Sequence, residues 1–245
     1  MKSSLSNKVT SVQLHIIAMV CMMLDHVWAV ISPSNMDWMT CVGRISFPIY
    51  AFLIVEGYFN TKDRKEMFKR LLITAIISEI PFNLMISGSV IFPIAQNVVW
   101  TLLLGLVFMH MFESIKDKNI VFRVAVGILS FEIIKLVGAL TMVDYGYAGI
   151  YVVLIFYIFR QKKLWNMTFQ ILALAVVVKL LGGYHYELAL HSGFISFPRQ
   201  GFMILALIPI WMYSGEYGKG FRGYKTIYRI FYPVHMILLS LIRIF

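Results

Sequence analysis

Apolar runs separated by short polar connections dominate this chain. They fall at about 12–32, 38–59, 70–88, 97–113, 122–141, 145–160, 166–183, 199–214 and 226–243. A helix needs roughly 20 mostly apolar residues to cross the hydrocarbon core of a bilayer, so the pattern predicts an all-α bundle of about nine transmembrane spans. The stretch 88–97 is apolar but short and contains Pro93; as a further crossing it makes ten. No long linker, low-complexity tract or internal repeat divides the chain, so residues 1–245 read as one domain.

Composition agrees with that class. Of 245 residues 60% are hydrophobic and 14% charged, with a mean hydropathy of +0.78. A soluble domain carries roughly a quarter charged residues, and so few could not cover a globule in water. The net charge of +10 is spread over the connections: Lys62, Arg64, Lys65, Lys69 and Arg70; Lys116 and Lys118; Arg160, Lys162 and Lys163; Lys219, Arg222 and Lys225. That distribution argues against nucleic-acid binding. The connections after the first, third, fifth and seventh spans carry few cations. The positive-inside rule then places the N-terminus in the cytoplasm. The first run reads as a signal-anchor without a cleavage site. Cys21 and Cys41, each within an apolar run, form neither a disulfide framework nor a four-ligand zinc site, and no metal is expected.

Charged side chains at bilayer depth are costly unless paired or facing a wet cavity, so each is a candidate site residue. Asp25 and His26 lie about two-thirds along the first run. Neighbouring helical positions point about 100° apart, so Asp25 is expected to meet a cation on another helix rather than the His26 ring. Histidine suits general-base work near neutral pH. Arg44 lies at a similar depth in the second run and offers Asp25 a partner, or an anion a site. Glu56 is twelve residues further on, about 18 Å at helical rise, and is expected to reach the basic boundary or pair with the loop that begins at Lys62. Glu79 precedes Pro81 and Asn83 in the third run. Asn97 and Thr101 share a face of the fourth, where interhelical hydrogen bonding explains them. Glu132 and Lys135, spaced i, i+3, neutralise each other, and Lys179 snorkels. Asp144 sits in a glycine-containing turn at the outer mouth of the sixth run. Tyr228, Tyr232 and His235 share a face of the last helix, kinked at Pro233, and line a ligand tunnel or a packing seam. The largest exterior loop, 184–198, holds His185, Glu187 and His191. No phosphate-binding glycine loop, paired-histidine metalloprotease signature or nucleophile elbow occurs.

Several of these segments, in the same order over nearly the whole chain, resemble the TraX family of membrane proteins. They are Leu24-Asp25-His26, Gly43-Arg44-Ile45-Ser46-Phe47-Pro48 through Glu56-Gly57-Tyr58, Ser78-Glu79-Ile80-Pro81-Phe82-Asn83, Asn97 through Gly105, Asp144-Tyr145-Gly146 and Phe231-Tyr232-Pro233-Val234-His235. The family is named for the conjugative-pilin N-terminal acetylase and is similar in outline to multi-span acyltransferases that act on exported sugars and lipids. The resemblance implies an acyltransferase, acetyl most readily, with acetyl-CoA as donor and a peptide, pilin-like, glycan or lipid amine or hydroxyl as acceptor. It carries over to Asp25, His26, Arg44, Glu56, Glu79, Asn97, Asp144 and His235. The loop Tyr213-Ser214-Gly215-Glu216-Tyr217-Gly218-Lys219-Gly220 departs from the family's turn.

In the mechanism this implies, basic loops attract the coenzyme A phosphates, with Lys62, Arg64 and Lys219 among the cations. The thioester passes between helices toward His26, which acts as base or transient acyl carrier. Asp25 and Arg44 set its charge and position, and Asn97 or Tyr232 donates to the oxyanion. The alternatives from other classes are a proton-coupled transporter of a small solute, which should show an inverted repeat, and a non-catalytic membrane assembly factor, which leaves Asp25, His26 and Arg44 unexplained.

Overall fold

The computed structural model describes residues 8–31, 36–190, 193–221 and 223–244. They form an all-α bundle with one two-stranded hairpin. The helices are α1 (Ser11–Ile31), α2 (Trp38–Gly43), α3 (Ser46–Asn60), α4 (Arg64–Ser87), α5 (Val98–Ser114), α6 (Ile120–Thr141), α7 (Gly146–Ile158), α8 (Leu164–Leu181), a 3-10 turn (Arg199–Ala206) running into α9 (Leu207–Trp211), and α10 (Tyr224–Ile244). Each predicted run is therefore helical. Side-chain caps start several of them: Asp63 accepts from the Glu66 amide at 2.9 Å, Asn97 from the Val99 amide at 3.1 Å and Asn119 from the Phe122 amide at 2.8 Å, each satisfying a donor the helix itself leaves free.

The outer face shows that this chain is an integral membrane protein. Ile128 and Leu129 on α6, Leu172 and Val176 on α8, and Leu238 and Ile242 on α10 are all exposed, which suits hydrocarbon and not water. Four helical stretches, Ser11–Ile31, Trp38–Asn60, Arg64–Ser87 and Leu164–Leu181, are long and apolar enough to cross a membrane. The remaining helices depart from simple spans in instructive ways. α7 is apolar all round and buried from Ala148 to Phe156, so it is the central helix of the bundle, clasped by α3, α5, α6 and α8. Its 13 residues reach only about 20 Å. α6 is long but carries Arg123, Glu132 and Lys135, the last two paired at 3.0 Å as their spacing predicts. The eighth run is half 3-10 turn and ends at Trp211.

Other differences from the sequence reading have local causes. The stretch 88–97 adds no crossing: it leaves α4 through Gly88 at φ 73° and returns to a bridge between Gln96 and Val143. α4 starts at Arg64 rather than 70, its first turns being the polar Arg64–Arg70 segment. The exterior loop is largely a hairpin, β1 (His185–Leu190) with β2 (Gly193–Pro198), in which Glu187 pairs with Ser196; His191 lies outside the described residues. Arg199 Nη2 then anchors this end to Asp37 at 2.5 Å.

The second run is broken at Arg44–Ile45, between α2 and α3. Gly43 permits the close crossing with α1, because a Cβ there would stand 2.3 Å from Asp25 Cβ. Gly43→Ala overpacks the crossing and is expected to cost about 1–3 kcal/mol, seen as earlier unfolding of the detergent-solubilised protein. An unchanged transition would show that the crossing is slack.

The bundle has two chemically distinct ends. Glu56 meets Arg160, Tyr157 meets Glu113, and Val9 bridges Tyr213 at the basic end. Asp37 and Arg199, Gln96 and Val143, and Arg44 and Tyr145 meet toward the other.

Candidate active site

Toward the end opposite the basic loops, α1 and the α2–α3 break bring an ion pair together. Arg44 Nη2 lies 3.0 Å from Asp25 Oδ1. Thr40 Oγ1 donates to the same oxygen at 2.6 Å and accepts from Arg44 Nη2 at 2.8 Å. Arg44 Nη1 reaches the Tyr145 hydroxyl at 3.4 Å. Asp25 thus takes a cation from another helix, as its spacing from His26 predicts, while Thr40 closes the triangle. With side-chain exposures of 17% for Asp25 and 22% for Arg44, the pair is shielded enough that neither partner tolerates loss of the other.

His26 meets a partner 209 residues away. Its Nδ1 lies 2.7 Å from Nε2 of His235, and the rings are nearly parallel, with centroids 4.9 Å apart and an 8° interplanar angle, as an in-plane contact between their edges requires. The hydrogens follow from chemistry. His235 Nδ1 sits 2.7 Å from the Phe231 carbonyl oxygen, which only accepts, so that nitrogen carries the proton. In a neutral ring its Nε2 is then the acceptor, and His26 Nδ1–H must be the donor. His26 Nε2 is left with its lone pair. The order carbonyl, His235, His26 fixes ring orientation and tautomer as the outer partner of a catalytic or metal-ligating imidazole does.

Four further candidates, Glu79, Asn97, Tyr232 and Asp144, are held by contacts of their own. Glu79 Oε2 accepts from Asn97 Nδ2 at 2.5 Å and Trp100 Nε1 at 2.9 Å, while its Oε1 is buried without a partner. The Asn97 amide also donates to the Ala75 carbonyl at 2.9 Å and its oxygen caps α5. Asn97 is fully buried and every arm of it is engaged, so it ties α4 to α5 and has no donor left for an oxyanion. Tyr232, three residues before His235, holds its ring centroid 5.7 Å from that of the histidine. Asp144 accepts from the Tyr145 amide at 3.0 Å, and Thr101 Oγ1 donates to its carbonyl. Asp144 is accessible by surface area but surrounded by protein; that crowding pushes its carboxyl up to about 6, against the pull of Arg44.

A cavity of about 700 Å³ rises from the basic end toward these residues. Asn60, Asp63, Arg70 and Arg229 line its polar part, and Leu53, Met67, Leu71 and Leu102 its apolar part. It ends against Met22, Phe231 and Tyr232, one helical turn short of His26 and His235, with the Phe231 ring stacked 4.6 Å from that of His235. Tyr228 and Tyr232 line it, so their shared face is a tunnel wall. His15 lines it as well. Its Nδ1 lies 2.7 Å from the Ser11 carbonyl and its ring stands edge-on to Tyr228 at 4.2 Å.

Some candidate residues lie elsewhere. Glu56 pairs with Arg160 at 2.6 Å and not with the loop at Lys62, because the α7–α8 turn brings that arginine directly over the end of α3. Lys62, Arg64 and Lys219 do not line this cavity; Arg64 instead donates to the Tyr58 hydroxyl at 3.1 Å and covers that ring. Arg70 and Arg229 line the cavity instead. Thr40 and His15 were passed over, since a neutral hydroxyl or a histidine near a helix start carries no marked penalty in sequence.

Comparison with known proteins bears on this arrangement. Residues 11–243 match the family described as TraX protein. A relative from Dichelobacter nodosus, described as a probable fimbrial assembly protein FimC of serogroup H1, is 27% identical over 246 residues, covering 95% of each chain. No solved structure matches.

Proposed function

The chain belongs to the TraX family, and on that premise we propose that it is a membrane-embedded acyltransferase. It moves an acyl group, acetyl first, from a coenzyme A thioester to an amine or hydroxyl of an exported subunit, glycan or lipid. The observation that carries this reading is the His235–His26 pair, whose hydrogen-bond order leaves a lone pair on His26 Nε2, one helical turn beyond the end of the cavity at Met22 and Phe231. The name of the Dichelobacter nodosus relative favours a fimbrial or pilus subunit as acceptor.

The steps balance without a metal. His26 Nε2 takes the proton from the acceptor N–H or O–H, and the freed N or O bonds to the thioester carbonyl carbon. The carbon–sulfur bond then breaks, and the proton held by His26 passes to the departing sulfur. Tyr232 donates to the carbonyl oxygen as charge develops there. The Asp25–Arg44–Thr40 triangle, joined to Tyr145, holds α1 against the α2–α3 break and so fixes the height of His26. The basic end faces the cytoplasm by the positive-inside rule, which puts the cavity mouth where coenzyme A thioesters occur. The cavity suits the donor's arm: polar at its mouth, apolar within, and closed from the histidines by the Phe231 ring, which must turn aside for the carbonyl to reach Nε2.

A non-catalytic assembly factor is the second reading, favoured by the relative's description alone. Equilibrium binding separates the two. Purified protein in detergent should bind acetyl-CoA saturably, with near one-to-one stoichiometry. Folded protein that binds none overturns the acyltransferase reading and leaves the assembly role.

A further inference from the structure

A second cavity of about 690 Å³ opens at the basic end, beneath the α7–α8 turn. It shares Glu56, Tyr213 and Gly215 with the tunnel, so the two chambers adjoin at the basic end. Three features of its lining are unexplained by packing. Lys162 donates to the Tyr213 carbonyl and makes no ion pair among the described residues, the nearby Glu56 being held by Arg160 at 2.6 Å. Desolvation lowers the pKa of Lys162, against the pull of the Glu56 carboxylate and with a smaller contribution from the Lys8 charge. Asn166 is 2% exposed; its Nδ2 donates to the Gln161 carbonyl at 2.8 Å while its Oδ1 is buried without a donor. An orphaned buried acceptor is costly and asks for a partner. Trp165, beside it, leaves 54% of its surface exposed. The first turn of α8, on which both stand, has no side-chain cap, so its amides and the positive end of the helix dipole remain open to an anion.

A cation, uncapped amides, an exposed indole face and a lone acceptor together match one ligand chemistry. We propose that this chamber is a nucleotide subsite, taking the purine against Trp165, an amino or hydroxyl group on Asn166 Oδ1, and phosphate on Lys162 and the first turn of α8. The assignment rests on the acyltransferase reading for its biological use: the chamber holds the adenosine bisphosphate end of the donor while the tunnel takes the arm. It separates a free coenzyme A thioester from one carried on a protein, which shares the arm but not the nucleoside.

The test titrates the full-length protein in detergent with adenosine 3′,5′-bisphosphate, coenzyme A, pantetheine and acetyl-CoA, for wild type, Lys162→Gln and Trp165→Leu. Wild type should bind the bisphosphate alone, and coenzyme A at least about tenfold more tightly than pantetheine. Each variant should lose about tenfold for the first two ligands, the scale of one stacked base or one charged contact, with pantetheine unchanged. Equal affinity of wild type for coenzyme A and pantetheine, or variants that bind the bisphosphate as wild type does, would overturn the subsite. Bisphosphate binding without binding of any thioester would uphold the nucleotide site and overturn the acyltransferase reading instead.

Discussion

Replacing His26 with alanine is expected to lower thioester turnover by about 10²–10⁴-fold, the usual worth of a positioned base, in protein that still folds and inserts. The companion histidine makes the prediction sharper. His235 touches His26 through Nε2 at 2.7 Å and is itself fixed by the Phe231 carbonyl, so it acts on the reaction only by setting the tautomer and aim of His26. His235→Ala should therefore lose less than His26→Ala, and the double variant should be no worse than His26→Ala alone, because a positioning residue has nothing left to position. His235→Gln puts an acceptor oxygen near the place of Nε2 and should recover part of the loss. Rates of free-thiol release from acetyl-CoA across these four variants check the scheme. Full additivity, or His235→Gln as damaged as His235→Ala, would contradict the tautomer argument.

The second large effect concerns the ion pair beneath the histidines. Removing one member of a shielded pair leaves the other charge without its partner. Asp25→Ala and Arg44→Ala are each expected to lose about 3 kcal/mol of stability and nearly all activity, since α1 and the α2–α3 break share no other ion pair at that depth among the described residues. Arg44→Lys should not restore either property: one ammonium cannot reach Asp25, Thr40 and Tyr145 as the guanidinium fork does. Thermal unfolding in detergent reads the first effect and thiol release the second. A fully stable Arg44→Ala protein would mean that the pair is incidental.

The helices and the existence of a polar site were legible in the sequence, because in a bilayer both signals are strong. Twenty apolar residues have few uses other than a helix, and an aspartate, histidine or arginine among them must have a reason. That logic anticipated Asp25 with Arg44 from the 100° turn between neighbouring helical positions, and placed His26 and His235 among the candidates. It could not join them, since nothing local says that residues 209 apart in sequence meet. Glu56 reaches the basic boundary, one of the two places its position predicts, but tertiary packing supplies Arg160 as its partner rather than the loop at Lys62. Asn97 had the right chemistry for an oxyanion donor, but helix capping and Glu79 consume its hydrogen bonds. Hydropathy also could not distinguish α7, buried in the centre of the bundle, from a lipid-facing span, because an interior helix and a membrane helix are apolar for different reasons. The hairpin at 185–198 lies within what reads in the sequence only as an exterior loop.

The central claim is that His26 Nε2 is the base of an acyl transfer fed from the basic end. The most direct measurement follows acetyl-CoA binding and free-thiol release side by side in purified wild type and His26→Ala. The account predicts saturable binding by both proteins and thiol release by wild type alone. Release by the His26→Ala protein at the wild-type rate would contradict it.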